Sequence, residues 1–222
     1  MKLEKHFIVF IPILLFIMAT LSYIMIINNN DTIKFKNEYE KLNQKYYSVS
    51  INKDLKIKYS SYKEVFDIIN SKTGIIYLGY PTDDNSRFAI NTLLNVIENN
   101  NVDTTIYYLD IHQDRDSYTI EDDKLVYSKD SKGKEIKGVD NYFKLLDMLD
   151  EYLDEYIIYV DDKEYKVGEK RIHFPTIIFI SEGKIKGLEY ASLDMDKDSL
   201  YSVYEDYISN MYSSSCDSKI PC

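Results

Sequence analysis

The stretch IIYLGYPTDDNSR, residues 75–87, combines the signals for a strand, a turn and the start of a helix. Its first six residues are mostly apolar, which is typical of a strand that is buried on both faces. Pro81 cannot donate a hydrogen bond to a neighbouring strand, so we expect the strand to end there. The four polar residues after Thr82 are of the types that cap helices. The apolar stripe beyond them predicts a helix from about Ser86 to Glu98.

Two further strands and one helix surround this stretch. Leu55–Tyr59 alternates apolar and polar residues, as a half-buried strand does. Ser61 and Glu64 have the spacing of a capping box, which predicts a helix that Gly74 ends. Val102–Ile111 predicts the next strand. The order strand, helix, strand, helix, strand requires crossover connections and therefore indicates a partly parallel sheet.

The second half of the chain adds a polar region and a last set of regular elements. His112–Val139 is polar and contains a short hairpin pattern near residues 124–127. A later hairpin turns across Ser181-Glu182-Gly183, where glycine supplies a positive φ. The remaining patterns predict a helix at 140–152, hairpins at 157–167 and 176–188, and a helix at 197–212. Together these elements predict an α/β fold, with a mixed sheet flanked by helices.

An uncharged apolar segment precedes all of these elements. Phe7–Ile27 contains 21 residues without a charge, and a helix of this length spans about 30 Å, the thickness of a bilayer core. Lys2 and Lys5 precede it and an acidic region follows, so the positive-inside rule places the bulk of the chain outside the cytoplasm. A cleaved signal peptide has a shorter apolar region and a small-x-small site, which Ala19-Thr20-Leu21 fits poorly.

These patterns divide the chain into four parts. Residues 1–28 are the predicted signal-anchor, 29–52 a juxtamembrane spacer with a short helix, 53–214 the globular domain and 215–222 a tail. The predicted localisation is the cell membrane, crossed once, with the folded domain on the outer side. The tail holds the only cysteines, Cys216 and Cys222. Because thiols outside the membrane tend to be oxidised, we expect a local disulfide between them.

Composition and motif content exclude several classes of function. The formal charge is −10 and no basic cluster occurs, so nucleic-acid binding is not expected. The chain has 7 glycines and lacks the G-x-S-x-G, phosphate-binding and dinucleotide-binding patterns, so no cofactor is expected. The 22 tyrosines predict core and interface-prone surface.

Two acidic stretches imitate metal sites. Residues 194–205 have the ligand spacing of a calcium loop, but Ser199 stands where that loop requires glycine. The alternating acids of 110–116 have Arg115 at the same position. The three histidines lack the spacing of a zinc site; they are His6, His112 and His173. We therefore expect no metal ion, and solvated acidic loops at both stretches.

The pattern strand–Gly79-Tyr80-Pro81-Thr82–helix occurs together with a later Phe174-Pro175-Thr176 that opens a hairpin. In this combination the chain resembles the thioredoxin superfamily, over roughly Leu55 to Met211. It is similar to the membrane-anchored thioredoxin-like proteins of Gram-positive bacteria. These include the bacteriocin-transport accessory type, in which Tyr/Phe-Pro-Thr is followed directly by Cys-x-x-Cys. The resemblance implies a thioredoxin-like mixed sheet with an insertion between His112 and Arg171.

By this resemblance, Asp83-Asp84-Asn85-Ser86 replaces the two-cysteine loop, with Asp83 and Ser86 at the thiol positions. Tyr77 stands where many thioredoxins keep a buried carboxylate, and Phe174-Pro175-Thr176 matches the cis-proline groove that faces the loop. Thiol–disulfide exchange needs a thiolate nucleophile and a second thiol that resolves the mixed disulfide. Neither a carboxylate nor a hydroxyl can replace them. We therefore predict no catalytic residue in this loop.

Both parts of the implied site also have simpler interpretations. The run Asp83–Ser86 is what a stabilising helix cap looks like, because carboxylates accept the free N–H groups at a helix N-terminus. Pro175 is also an ordinary residue at the start of a strand, although a cis bond is accessible to X-Pro peptides. In the interpretation that the resemblance favours, the groove binds an extended peptide by strand addition.

The function expected from these observations is that of an extracytoplasmic, membrane-tethered thioredoxin-like protein. It would be redox-inactive at the usual site and would bind an unidentified protein or peptide. The alternative is a thiol–disulfide oxidoreductase that works through the Cys216/Cys222 pair. A role as an accessory factor in peptide export or immunity is suggested by family analogy alone.

Overall fold

The computed structural model describes residues 16–18, 20 and 31–213. The predicted membrane anchor at Phe7–Ile27 therefore falls outside the described residues, apart from four helical positions, and so do Cys216 and Cys222. No helix in the described ranges has the length and apolar character needed to cross a bilayer. From residue 31 onward, the described chain folds into one mixed β-sheet flanked by helices, together with two separate hairpins.

Five helices and nine strands make up residues 31–213. The helices are α1 (31–40), α2 (Tyr62–Ser71), α3 (Asp84–Asn99), α4 (Asp140–Met148) and α5 (Lys197–Tyr212). The strands are β1 (Lys56–Tyr59), β2 (Gly74–Leu78), β3 (Thr105–Leu109), β4 (Tyr118–Glu121), β5 (Lys124–Tyr127), β6 (Glu155–Val160), β7 (Lys163–Lys170), β8 (Thr176–Ser181) and β9 (Lys184–Tyr190). The helix predicted to reach residue 152 ends at Met148 instead, and a 3₁₀ turn follows at Asp150–Tyr152.

The central sheet has the strand order β1-β3-β2-β8-β9. β1, β3 and β2 run parallel, whereas β8 is antiparallel to β2 and β9 is antiparallel to β8. β2 lies in the middle, and all five of its residues are buried, as its apolar sequence predicts. Its last residue, Leu78, pairs with Thr176, the first residue of β8. This register places the Pro81 turn and Pro175 at the same end of the sheet, where β2 ends and β8 begins.

Apolar side chains cover both faces of the sheet. On one face, α1, α3 and α5 contribute to a core that includes Phe35, Leu93 and Tyr204. On the other face, α2 and α4 contribute to a second core that includes Ile68 and Leu145. A sheet covered on both faces explains why its middle strand is a continuous apolar run rather than an alternating one.

Helix α1 belongs to the folded domain. Phe35 and Tyr39 lie one turn apart on it, and both are fully buried in the core that it shares with α3. The hydroxyl of Thr32 donates to Leu55 O and accepts from Ile57 N, so α1 also covers the outer edge of β1. Among the described residues, the predicted spacer at 29–52 is therefore part of the folded domain, which begins before the predicted start at residue 53. Charged residues separate the apolar ones here, so composition alone suggests a spacer.

Residues 110–172 form a lobe that adds no strand to the central sheet and contributes α4 to the core on one of its faces. β4 and β5 form one hairpin and β6 and β7 another, and neither hairpin pairs with the central strands. Both turn through two aspartates with positive φ, Asp122-Asp123 and Asp161-Asp162, a conformation that aspartate tolerates better than most residues. The second hairpin is the one predicted at 157–167. The first hairpin contains the predicted pattern near residues 124–127 as its second strand, with β4 as an additional strand.

Candidate functional site

The predicted loop forms the first turn of α3. Asp83 is the N-cap of this helix, and its Oδ2 accepts hydrogen bonds from Ser86 N at 2.7 Å and from Ser86 Oγ at 2.6 Å. The helix begins at Asp84, two residues before the predicted start, because the cap already holds the first turn in place. The two residues that the resemblance assigns to the thiol positions are thus joined by a carboxylate–hydroxyl hydrogen bond.

Ser86 is buried beneath the loop and is tied to the end of β2. Its Oγ accepts from Tyr80 N at 3.3 Å, and its carbonyl oxygen accepts from the Tyr77 hydroxyl at 2.9 Å. Tyr77 is fully buried, and its hydroxyl lies 3.0 Å from that of Tyr39 on α1. Burial raises the pKa of Tyr77 well above its ordinary value, so the phenol stays neutral. Gly79 leaves room for it, because a Cβ there would lie 2.5 Å from the Tyr77 hydroxyl oxygen.

Asp84 and Asn85 connect the loop to two neighbouring segments. Asp84 Oδ1 accepts from Tyr47 N, and Asn85 Oδ1 accepts at 2.9 Å from Leu193 N, in the segment between β9 and α5. Within the described chain, neither Asp84 Oδ2 nor Asn85 Nδ2 makes a hydrogen bond. Both side chains are half-exposed. The loop is therefore a stabilising cap that still presents polar atoms at its surface.

Arg87, which the sequence marks only as part of a motif, is fully buried behind the loop. Its guanidinium donates to Asn43 Oδ1 and to the carbonyl oxygens of Tyr39, Tyr47 and Pro81. Burial lowers the pKa of Arg87, yet an arginine in a protein keeps its proton. The side chain fixes the turn before α3 to α1 and to the segment after it. Three of its four acceptors lie 40 to 48 residues earlier, so no local pattern predicts this role.

The second part of the implied site lies at the start of β8. The Phe174–Pro175 peptide bond is cis, and Thr176 Oγ1 donates to His173 O at 2.7 Å. Pro175 and Thr176 are buried, whereas Phe174 is half-exposed. The ring of Phe174 meets that of Tyr80 edge-on, with the centroids 5.4 Å apart. The structure therefore brings residues 83–86 and 174–176 to one end of the sheet, with Tyr80 in contact with both.

Four side chains form a row across this end of the sheet. The imidazole of His112 stacks on Tyr80, with the centroids 4.5 Å apart, and Tyr80 in turn meets Phe174. The guanidinium of Arg115 lies over the other part of this row, the Phe174 ring, with its central carbon 4.1 Å from the ring centroid. The row consists of His112, Tyr80, Phe174 and Arg115. Two of its members come from the lobe 110–172, a contact that the sequence patterns do not predict.

The acidic stretch 194–205 contains a helix cap, and the acidic stretch 110–116 contains a hydrogen-bonded pair. Asp196 is the N-cap of α5 and accepts from Ser199 N at 2.9 Å, at the position where a calcium loop would need glycine. Asp110 is hydrogen-bonded to the ring of His112. No group of three or more potential metal ligands occurs in the part of the chain that the structure describes.

The helix that leads to the two cysteines ends far from the loop. The cysteines themselves lie outside the described residues. α5 ends at Tyr212, and Met211 O accepts from Ser181 Oγ at 2.7 Å. Ser181 is the last residue of β8, whereas Pro175 directly precedes its first residue. At about 3.3 Å per residue, these two positions are about 20 Å apart.

This end of the sheet offers hydrogen-bonding and stacking groups but no thiol among the described residues. Its carboxylates, amide, hydroxyl and rings can bind a ligand, and none of them can exchange a disulfide. Comparison with family models, with curated proteins and with solved structures finds no match to this chain. The function must therefore be inferred from its own residues.

Proposed function

We propose that this protein is a membrane-tethered, extracytoplasmic thioredoxin-like protein that binds a protein or peptide and carries out no dithiol chemistry at the usual site. The proposal joins the resemblance in sequence to the fold, the loop and the neighbouring groove. The observation that carries it is the hydrogen bond between Asp83 Oδ2 and Ser86 Oγ, at 2.6 Å, in the first turn of α3.

The topology of the sheet supports the proposal. The resemblance implies a mixed sheet with the loop after a central strand, then an insertion, then a proline that opens the next strand. In the described chain the loop follows β2 directly, and Pro175 directly precedes β8, its antiparallel neighbour. The lobe 110–172 lies between these two elements in sequence and does not extend the sheet.

The loop supports the absence of dithiol chemistry. A reactive thiol needs its pKa lowered, for example at a helix N-terminus, and a second thiol must resolve the mixed disulfide. Asp83 and Ser86 occupy such a helix end, and the positive end of the helix dipole stabilises a carboxylate there. The surroundings that would activate a thiol instead stabilise the fold.

The region beside the loop supports peptide binding. Within the described chain, the backbone N–H and carbonyl of the half-exposed Phe174 make no hydrogen bonds. Free backbone groups next to a strand are what an extended peptide needs for strand addition. Leu193, whose N–H bonds to Asn85, has an exposed side chain, and so has the nearby Tyr190. Exposed apolar side chains beside free backbone groups favour a binding surface.

Attachment to a membrane rests on the sequence of Phe7–Ile27. We expect the full chain to sediment with membranes and to be cleaved by protease added outside intact cells. Protection of the folded domain from external protease in intact cells, followed by cleavage after lysis, would contradict the proposed orientation.

Insulin reduction and the trapping of mixed disulfides test the redox part of the proposal. The full chain is expected to show neither. A variant with Cys216→Ser and Cys222→Ser separates the alternative function from the proposed one. Activity in the full chain that disappears in this variant would establish the tail pair as an oxidoreductase centre and refute the proposal.

Restoring the thiols tests whether the loop occupies a thioredoxin-type site. The double substitution Asp83→Cys/Ser86→Cys is expected to create disulfide-exchange activity, because the helix N-terminus lowers a thiol pKa. The matched control is Asp196→Cys/Ser199→Cys at the start of α5, which has the same spacing and the same cap hydrogen bonds but no neighbouring Pro175. Equal activity of the two variants, or none in either, would contradict the proposal that the loop occupies a thioredoxin-type site.

A further inference from the structure

Arg115 lies beside the proposed groove without an acidic partner. Its guanidinium stacks on Phe174, and its Nη1 donates to Ile172 O at 3.3 Å. Within the described residues, its buried Nε has no acceptor, and Nη2 makes no hydrogen bond although it is not buried. No ion pair of the described chain includes Arg115. One end of this guanidinium is therefore open to a ligand.

Four acidic side chains of the segments 83–86 and 110–116 each have another side chain as a partner. These pairs are Asp110 with His112, Asp114 with Tyr62, Asp83 with Ser86, and Asp116 with Arg171. The last pair is buried and consists of Asp116 Oδ1 and Arg171 Nη1, 3.7 Å apart. None of these four carboxylates forms an ion pair or a hydrogen bond with Arg115 in the described chain.

The surroundings make an uncompensated charge on Arg115 unfavourable. Burial lowers the pKa of Arg115, and the charge of the neighbouring Arg171 lowers it further. Because an arginine in a protein does not lose its proton, the positive charge persists. A partly buried cation next to a second cation is stabilised by an anion.

We propose that Arg115 binds a carboxylate of the peptide that occupies the groove, so that the partner of this protein is an acidic peptide. This inference rests on the proposed function. The N–H groups of a guanidinium match the two oxygens of a carboxylate. Arg115 stacks on Phe174, whose free backbone groups would pair with the peptide, so the acidic residue lies at or next to the paired position. The lobe 110–172 thereby selects the partner, although it lies outside the central sheet.

Selection from a hexapeptide library with the full chain tests the proposal. The peptides are N-acetylated and C-amidated, so that only their side chains carry charge. The bound peptides are expected to be enriched at one position in Glu or Asp over Gln or Asn, by roughly tenfold or more, as one charge-assisted hydrogen bond implies. A second library with free carboxyl termini distinguishes the two sources of a carboxylate, since binding that is confined to that library assigns the contact to a chain terminus.

Three variants connect the preference to Arg115. Arg115→Met is expected to abolish the preference for acidic peptides, and Arg115→Lys to weaken it, because an ammonium keeps the charge but loses the planar fork. Lys144→Met is the matched control, since Lys144 Nζ also lies over a phenylalanine ring, that of Phe66, at 4.6 Å and away from the groove. It is expected to keep the preference. The melting temperature of each variant reports whether it is folded.

The outcomes separate this inference from the proposed function. Peptides of the library with blocked termini that bind with no preference between Glu and Gln would overturn the role of Arg115 and leave the groove in place. If neither library yields a bound peptide, the groove itself is refuted, and the role of Arg115 with it. A preference for Glu that persists in a folded Arg115→Met variant would overturn the inference by assigning the carboxylate to another residue.

Discussion

Tyr77 donates a hydrogen bond beneath the first turn of α3 without bringing a charge into the core. Its hydroxyl donates to Ser86 O and lies 3.0 Å from that of Tyr39. A buried carboxylate at the same place would need a proton or a cation to be stable. A phenol needs no counter-charge, because its one proton goes to Ser86 O and its oxygen accepts from the Tyr39 hydroxyl. A neutral residue therefore supports the loop at a position where the resemblance implies an acid.

Replacing Tyr77 with phenylalanine tests this support. In Tyr77→Phe the free energy of unfolding is expected to fall by about 1–3 kcal/mol, because buried oxygens lose their partner. Tyr204→Phe is the matched control, since the Tyr204 hydroxyl is buried in the same core with no partner among the described residues. That variant is expected to be no less stable than the parent. Urea denaturation measures both, and equal losses would show that the Tyr77 hydrogen bonds contribute nothing.

At the scale of elements, the turn between β8 and β9 depends on one glycine. Gly183 has a φ of +72° and its N–H donates to Lys72 O at 2.9 Å, which joins the turn to the end of α2. A Cβ on this residue would lie 2.4 Å from Asn70 O, a backbone atom that cannot move aside. The turn therefore needs glycine both for its conformation and for the space beside it.

Two glycine substitutions separate these causes. Gly133 has a φ of +79°, but a Cβ on it would meet no atom within 4 Å, so Gly133→Ala tests conformation alone. We expect it to cost about 1–2 kcal/mol of unfolding free energy. Gly183→Ala is expected to cost a further 1–3 kcal/mol or so, because it adds overpacking against the backbone. Thermal or urea denaturation compares the two, and equal losses would exclude the steric contribution.

The capping box of α2 predicts a dependence of stability on pH. The hydrogen bond from Lys58 Nζ, and then that from Ser61 N, lower the pKa of Glu64 from 4.5 to about 2. Because the pKa is lower in the folded state, the stabilisation is complete above about pH 4.5 and is lost as the pH falls towards about 2. In Glu64→Gln the free energy of unfolding should fall less steeply across this window. Urea denaturation at a series of pH values measures the slopes, and parallel curves would contradict the assignment.

At the scale of the whole molecule, α1 makes the segment after the predicted anchor part of the domain. It packs on the sheet through Phe35 and Tyr39, and its Thr32 occupies the free edge of β1. An open strand edge invites pairing with other chains, so this cover also protects the protein from association. Arg87 completes the connection, because it bonds the turn before α3 to the end of α1. The loop and α1 consequently depend on each other.

Two substitutions on α1 test whether the helix is integral to the fold. Phe35→Ala is expected to lower the free energy of unfolding by about 3–5 kcal/mol, as large-to-small changes at buried aromatic residues do. Ile33→Ala, on the exposed side of the same helix, is expected to change it by no more than about 0.5 kcal/mol. Urea denaturation of the two variants gives the comparison. Equally small effects would restore the predicted spacer.

Local signals in the sequence were enough to predict the order and type of most elements. A continuous apolar run marks β2, short polar residues mark the start of α3, and Gly183 marks a turn. Each of these signals acts within a few residues. These elements and the crossover rule were enough to predict a mixed sheet flanked by helices. The junction of α1 with the core was not predicted, because two apolar residues among charged ones give a weak local signal.

Which side chains meet at the end of the sheet depends on long-range packing and not on any local signal. Arg87 finds acceptors 40 to 48 residues away, and Arg115 reaches a ring that lies 59 positions later in the sequence, at Phe174. Such contacts depend on how the strands are ordered and on where the lobe 110–172 lies, and no pattern within one element contains that information. Local propensity acts between neighbours in sequence, whereas packing and charge act between neighbours in space.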